Sequence, residues 1–328
     1  MLTSTVEAPT RRTAAARLDW VDAAKGLSIL LVVLHHTVWY LQRSGQAPAA
    51  VIAANEALAS LRMPLFFLAS GLFVAGPLAA PWRTMLHKRV AFFVWLYLLW
   101  TLIRFTFFAT LVPLGVDPDD SANPLNVVLA LLLPGPSMWF LYALALFSVI
   151  GKLLRRVPVA VQLAASGVLS ALAGAGLLDF DSRWTYMSRF LFFFLLGWHG
   201  KQLIERLARA SSLPKVVAAA VGCVAVAFGV LFAAWVSRYV IGRPLVALGR
   251  RTLPIYLTHM LWLAAIVTGI RFIEFPSVVA YALPVVITVA LVGLSLMTHW
   301  LLMRAGGTWL FALPSRLAYR TPATQPAG

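Results

Sequence analysis

Cysteine is nearly absent. Cys223 is the only one in 328 residues, so neither an intrachain disulfide nor a Cys-based metal site can form. It stands in the apolar run Val216 to Trp235, where a packed thiol is the simplest reading. Charge is scarce too: Asp, Glu, Lys and Arg make up 12% of the residues, against 61% hydrophobic. A mean hydropathy of +0.85 excludes an ordinary water-soluble domain, which cannot hide that much apolar surface. Also missing are internal repeats, coiled-coil heptads, a phosphate-binding glycine loop and any metal-ligand pattern, so no metal is expected.

What the chain does have is a series of long apolar runs. Crossing about 30 Å of hydrocarbon takes roughly 20 residues in a helix. Charge and Pro/Gly punctuation mark membrane helices at 26–44, 51–80, 89–113, 136–151, 157–178, 185–204, 213–236, 252–271 and 278–303. The stretch Leu125 to Leu133, ended by Pro134-Gly135-Pro136, is too short to span. It is either a half-helix that enters and returns or part of a tenth span. The fold class is therefore all-α, a polytopic transmembrane bundle of nine to ten spans. Residues 1–16 are polar and expected to be disordered in the cytoplasm, 17–304 form the membrane domain, and 305–328 form a tail, disordered after 314. The first apolar stretch lacks a small-residue cleavage site and contains His35 and His36, so it reads as a span and not a leader.

The formal net charge is +16, but the basic residues sit between apolar runs. That pattern answers the positive-inside rule and the anionic headgroups of a lipid bilayer, and no nucleic-acid partner is expected. Arg11, Arg12 and Arg17 precede the first helix, basic clusters recur at Arg83 to Arg89, Lys152 to Arg156 and Lys201 to Lys215, and Asp117, Asp119, Asp120, Asp179 and Asp181 fall in alternate loops. The amino terminus is expected in the cytoplasm, with the protein integral to a bacterial inner membrane. Late in the chain the rule becomes ambiguous: Arg238, Arg243, Arg250 and Arg251 cluster where alternation puts an outside loop. Either a span is miscounted or these arginines do other work.

The segment RLDWVDAAKGLSILLVVLHH, Arg17 to His36, carries the chemistry. Lys25 and His36 are three helical turns apart, on one face and roughly 16 Å apart in depth. Asp22 lies about 40° from that line and His35 roughly 80° from it, so His36 is the histidine that shares a face with Lys25. A titratable ring inside a membrane helix marks a functional site unless it only bonds a neighbouring helix. Lys25, close to the helix start, is by composition alone more often a snorkelling interfacial charge than a ligand. Arg62, two residues before Pro64 in an apolar helix, needs an anionic or carbonyl partner.

The pattern Asp22-x-x-Lys25-Gly26 followed by an apolar run to His36 resembles the first-helix signature of the acyltransferase-3 family, particularly its fucose 4-O-acetylase-like branch. RMPLFFLASG (Arg62 to Gly71), MWFLYAL (Met138 to Leu144) and LGRRTLPIYLTH (Leu248 to His259) are similar to three further family segments, in the family's order. The resemblance implies a membrane enzyme that moves an acyl group, commonly acetyl, from cytoplasmic acyl-CoA to a hydroxyl of a carbohydrate, cell-envelope or small-molecule acceptor. It implies His36 as catalytic base, Lys25 near the donor where many relatives have Arg, and Asp22 orienting one of them. Arg62 departs from the branch, which often has His there, and the segment after Arg89 lacks a second basic residue and Pro.

An imidazole with an ordinary pKa near 6.5 suits abstraction of an alcohol proton as the oxygen attacks a thioester. Without a Cys nucleophile motif or an elbow-type Ser motif, direct transfer is expected in place of an acyl-enzyme; Ser70 in Ala69-Ser70-Gly71 is a candidate nucleophile or a close-packing residue. Lys88 and Arg89, with Lys25 and Arg83, are candidates for CoA's phosphates. Trp139 is an interfacial anchor or lines an acyl or sugar path, and His259 either meets His36 across the bundle or caps a neighbour. The competing class is a proton-coupled transporter of a small anionic or sugar-like solute.

Overall fold

A computed structural model describes residues 19–112, 122–135, 138–178, 181–221, 225–314 and 317. Cys223, the basic residues before Asp19, Asp117, Asp119, Asp120, Asp179 and Pro136 lie outside the described residues. The described chain is helical and contains no strand. In order the α-helices are α1 (Asp19–Arg43), α2 (Ala49–Ala57), α3 (Ala59–Gly71), α4 (Ala75–Ala79), α5 (Trp82–Met85), α6 (Ala91–Leu111), α7 (Pro124–Val128) and α8 (Trp139–Leu153). They continue with α9 (Val159–Gly174), α10 (Ser182–His199), α11 (Lys201–Arg209), α12 (Leu213–Val221), α13 (Ala225–Val236), α14 (Arg243–Gly249), α15 (Thr252–Ile270) and α16 (Ser277–Arg304).

Each expected membrane segment contains helix among the described residues, with changed bounds. Five stretches are long and apolar enough to cross a membrane: Asp19–Arg43, Ala49–Gly71, Trp82–Leu111, Thr252–Ile270 and Ser277–Arg304. The pair 225–236 and 240–249 meets the same test only when taken together and is bent by 120°, as in a broken span or a re-entrant loop. The remaining expected segments are shorter or divided; α10 and α11 part at Gly200, for example. Large apolar side chains stay exposed on the outer faces, among them Val278, Val285, Val286 and Val289 of α16. In water this would be a liability, but against hydrocarbon it is what a span requires. The chain is an integral membrane protein, an all-α polytopic bundle.

Helix α1 runs through the centre. Asp19 and Asp22 in its first turn and Arg43 in its last complement the helix dipole, and its buried residues recur on all sides, since it packs against α3, α13, α14, α15 and α16. Gly26 permits a close crossing with α14: a Cβ there would stand 2.0 Å from the Leu245 carbonyl oxygen. A second core of rings joins α3, α8 and α10, with Phe66 and Phe67 on Phe140, Phe147 and Phe190.

Two sequence ambiguities resolve. The segment after Asn123 is one five-residue helix followed by turns, well short of a span. The Tyr97 hydroxyl clasps it, donating to the Ala130 carbonyl at 2.7 Å and accepting from the Gly135 amide at 2.9 Å. Two of the four late arginines do other work. Arg238 donates to the carbonyls of Ala208, Arg209 and Ser211, satisfying the open end of α11. Arg250 returns to the start of α1, pairing with Asp19 at 2.7 Å and Asp22 at 3.1 Å. The bend between α13 and α14 brings this about by placing the α14–α15 junction at the amino-terminal end of α1. Beyond α16, residues 307–310 turn back onto the bundle, with the indoles of Trp95 and Trp100 donating to the Trp309 and Leu310 carbonyls.

Candidate functional site

The site is built on α1 and α15. Helix α1 presents His35 and His36 in successive positions about 100° apart, so they face different helices. His36 meets His259 of α15, with Nδ1 and Nε2 3.1 Å apart and ring centroids 5.2 Å apart. His259 is fully buried, and His36 is half-buried.

The partners fix the proton positions when both rings are neutral. His259 Nδ1 stands 2.9 Å from the Ile255 carbonyl oxygen, which only accepts, so Nδ1 carries the proton. His259 Nε2 then holds a lone pair and accepts from His36 Nδ1–H. That leaves His36 Nε2 as the free base, the role a carboxylate imposes on the histidine of a catalytic triad.

His35 turns to α2. The buried Arg62 guanidinium donates through NH1 to the Asn55 backbone oxygen at 3.0 Å and to its Oδ1 at 3.2 Å. This supplies the carbonyl partner that a buried cation requires. Because Oδ1 accepts, the amide nitrogen of Asn55 faces His35 and donates to Nδ1 at 3.1 Å, so the His35 proton sits on Nε2. The two neighbouring rings therefore carry opposite tautomers. Arg62 and Arg104 both lie within electrostatic reach of His36. Arg104, buried in α6 with its guanidinium 5.1 Å from the Phe108 centroid, escaped the sequence reading although a lone charge in a 21-residue apolar helix is itself a signal. Asn55 and Tyr256 gave no such signal.

Toward the amino-terminal end of α1 lies a cavity of about 190 Å³, lined by Lys25, Phe66, Ser70, Phe92, Phe93, Phe140, Leu141, Leu144, Thr252, Leu253 and Tyr256. The Lys25 ammonium lies 4.7 Å from the Phe73 ring centroid, and the Ser70 hydroxyl donates to the Phe66 carbonyl, as a packing serine does. Arg89 stands over Phe93 and donates to Ser148 at 2.7 Å, which places it beside this cavity, whereas Lys88 is exposed and outside its lining. His36 is not part of this cavity's lining, while Tyr256, which is, has its ring centroid 6.3 Å from that of His259. Lys25 and His36 thus share a helix face, but of the two only Lys25 lines the cavity.

Asp22 accepts from Arg250 and lies about 21 Å along α1 from His36, too far to orient that ring, while Lys25, its other expected partner, is one turn away on the same helix. Trp139 is half-buried in a ring cluster with Phe67, Tyr186 and Phe190. Among the described residues no group of His, Cys, Asp and Glu is placed to hold a metal ion.

A histidine pair beside buried guanidiniums, with a largely apolar cavity that holds Lys25 at one end, defines a polytopic membrane protein with a polar centre. The acyltransferase domain of the acyltransferase-3 family matches residues 18–235, and the chain belongs to that family. It is similar to inner membrane protein YcfT of Escherichia coli (strain K12), 28% identical over 156 residues, 42% of this chain. That match spans 44% of the relative, less than half its length. No solved structure matches. His259 and Tyr256 lie beyond the matched region, so their place in the site rests on geometry.

Proposed function

We propose that the protein transfers an acyl group, acetyl in the first instance, from cytoplasmic acyl-CoA to a hydroxyl of a carbohydrate or other envelope acceptor, with His36 as general base. The observation that carries this reading is the His259–His36 bond, which leaves a lone pair on His36 Nε2 within a buried, positively charged setting. The amino-terminal end of α1, with Lys25 and Arg89, then faces the cytoplasm of an inner membrane and admits the thioester arm past Ser70.

The acceptor oxygen attacks the thioester carbonyl carbon as its proton passes to His36 Nε2. The imidazolium keeps its Nδ1–H bond to His259, so the ring stays oriented while charged. Arg62 and Arg104 supply positive charge for the oxyanion that forms. As the carbon–sulfur bond breaks, the CoA thiolate takes the proton from His36, leaving the ester and free CoA. A positioned base of this kind is worth about 10² to 10⁴ in rate.

Purified protein in liposomes, given radiolabelled acetyl-CoA and an envelope extract, is expected to label a hydroxyl-bearing component, and His36→Ala to abolish labelling while remaining folded. Equal labelling by wild type and variant removes His36 as base; labelling by neither removes the acetyl donor.

A further inference from the structure

One cluster of charge plays no part in the reaction as described. A cavity of about 500 Å³ is lined by Trp82, Lys152, Leu153, Arg155 and Arg156. Lys152, only 8% exposed, donates to the carbonyl oxygens of Leu78 and Ala80 and lies 5.7 Å from the Trp82 ring centroid. Arg155 also donates to the Leu78 carbonyl, at 3.1 Å. Arg155 and Arg156 are exposed, as is Trp82 at 41%.

Three cations therefore share one recess, and among the described residues no carboxylate pairs with any of them. Topology alone accounts for basic residues at one end of a bundle, since such charges snorkel separately into water. It does not account for an ammonium buried against two backbone carbonyls, which contribute hydrogen bonds but no neutralising charge. Lys152 and Arg155 pin the 78–82 turn and so shape the recess. Arg155 keeps most of its five N–H donors for a ligand, and Arg156 adds a second fork suited to phosphate oxygens.

The recess adjoins the cavity that contains Lys25. Ser148, one turn before Lys152 on α8, accepts from Arg89, whose guanidinium lies 5.3 Å from the Phe93 centroid, and Phe93 lines that cavity. We infer that the Trp82–Lys152–Arg155–Arg156 recess binds phosphate, and that the phosphate belongs to the nucleotide end of the thioester donor, whose acyl arm runs past Arg89 toward Lys25. The nucleotide assignment rests on the donor proposed above; phosphate binding does not. An anionic lipid headgroup offers the same chemistry, so the test separates the two sources.

Wild type and Arg155→Gln/Arg156→Gln, in nanodiscs of phosphatidylcholine alone, are titrated with adenosine 3′,5′-bisphosphate. Lys152 is left in place because it holds the 78–82 turn, and unchanged thermal unfolding checks the fold of the variant. The wild type is expected to bind and the variant to bind at least tenfold more weakly. In parallel, the ratio of KM for acetyl-CoA to KM for acetyl-pantetheine, which lacks the nucleotide, is expected to rise about tenfold. Absence of bisphosphate binding by the wild type, or equal binding by the variant, overturns the nucleotide assignment. If the substitutions instead remove only a preference for phosphatidylglycerol nanodiscs, the recess is a headgroup site. A protein that transfers no acyl group yet binds bisphosphate through these arginines sinks the proposed reaction and keeps the site.

Discussion

Gly249 lies so close to Asp22 that a Cβ at 249 would stand 1.7 Å from the Asp22 carbonyl oxygen. Backbone meets backbone there, so no side-chain adjustment relieves the clash. Gly249→Ala is expected to lower stability by about 1–3 kcal/mol or more, read as a fall in Tm in detergent. Gly269→Ala, at a helical position with nothing within 4 Å, is the control and is expected to hold or raise Tm through helix propensity.

The ion pairs at the same junction are coupled. Asp22→Asn and Arg250→Gln are each expected to lower Tm, and the double variant to fall no further than the worse single one, because both break one unit. The Arg250 guanidinium is held above its ordinary pKa, first by the Asp22 hydrogen bond and then by Asp19. A raised basic pKa means its contribution is fully present below the unfolded value and is lost only as pH rises past the folded one. The Tm difference between wild type and Arg250→Gln should therefore stay flat from neutral pH to well above it; a difference that vanishes in mild alkali would contradict the pairing.

His259→Ala is expected to reduce acyl transfer about 10- to 100-fold, since His36 loses the acceptor that selects its tautomer, and His36→Ala to reduce it further. Residues acting as one unit are not additive, so the double variant should match His36→Ala. Ring ¹⁵N shifts of labelled histidine offer an independent check, with the His36 proton on Nδ1 in the wild type and redistributed in His259→Ala.

Arg62 and Asn55 test which partner matters more. Asn55→Leu keeps the backbone carbonyl but leaves the buried guanidinium without Oδ1, and is expected to cost about 1–3 kcal/mol. Arg62→Leu removes the charge together with its need for a partner, so it should cost less in Tm while still lowering the transfer rate. The reverse order of stabilities would mean that Asn55 does not hold Arg62.

Much of this was readable in the sequence. Apolar runs near 20 residues mark the helices because backbone polar groups cannot go unpaired in lipid. Helical periodicity separates His35 from His36, and the structure sends one to Asn55 and the other to His259. The partner of Asp22 was not legible, because Arg250 lies 228 residues away and reaches it only through the bend after Val236. Nor was the absence of His36 from the lining of the Lys25 cavity, since the rotation of α15 that sets Tyr256 against that cavity could change without changing any hydrophobic pattern. Arg104 was legible and passed over.

The Tyr256 ring has a bearing on the host membrane. A chain of imidazoles and guanidiniums across a bilayer is also a path along which hydrogen ions can leak, collapsing the gradient the cell maintains. Phe66, Phe140 and Tyr256 line the Lys25 cavity, and neither His36 nor His259 belongs to its lining. On the reaction proposed above, a donor arm entering beside the Tyr256 ring would fill the opening it makes, and so would leave no water-filled path to the histidines.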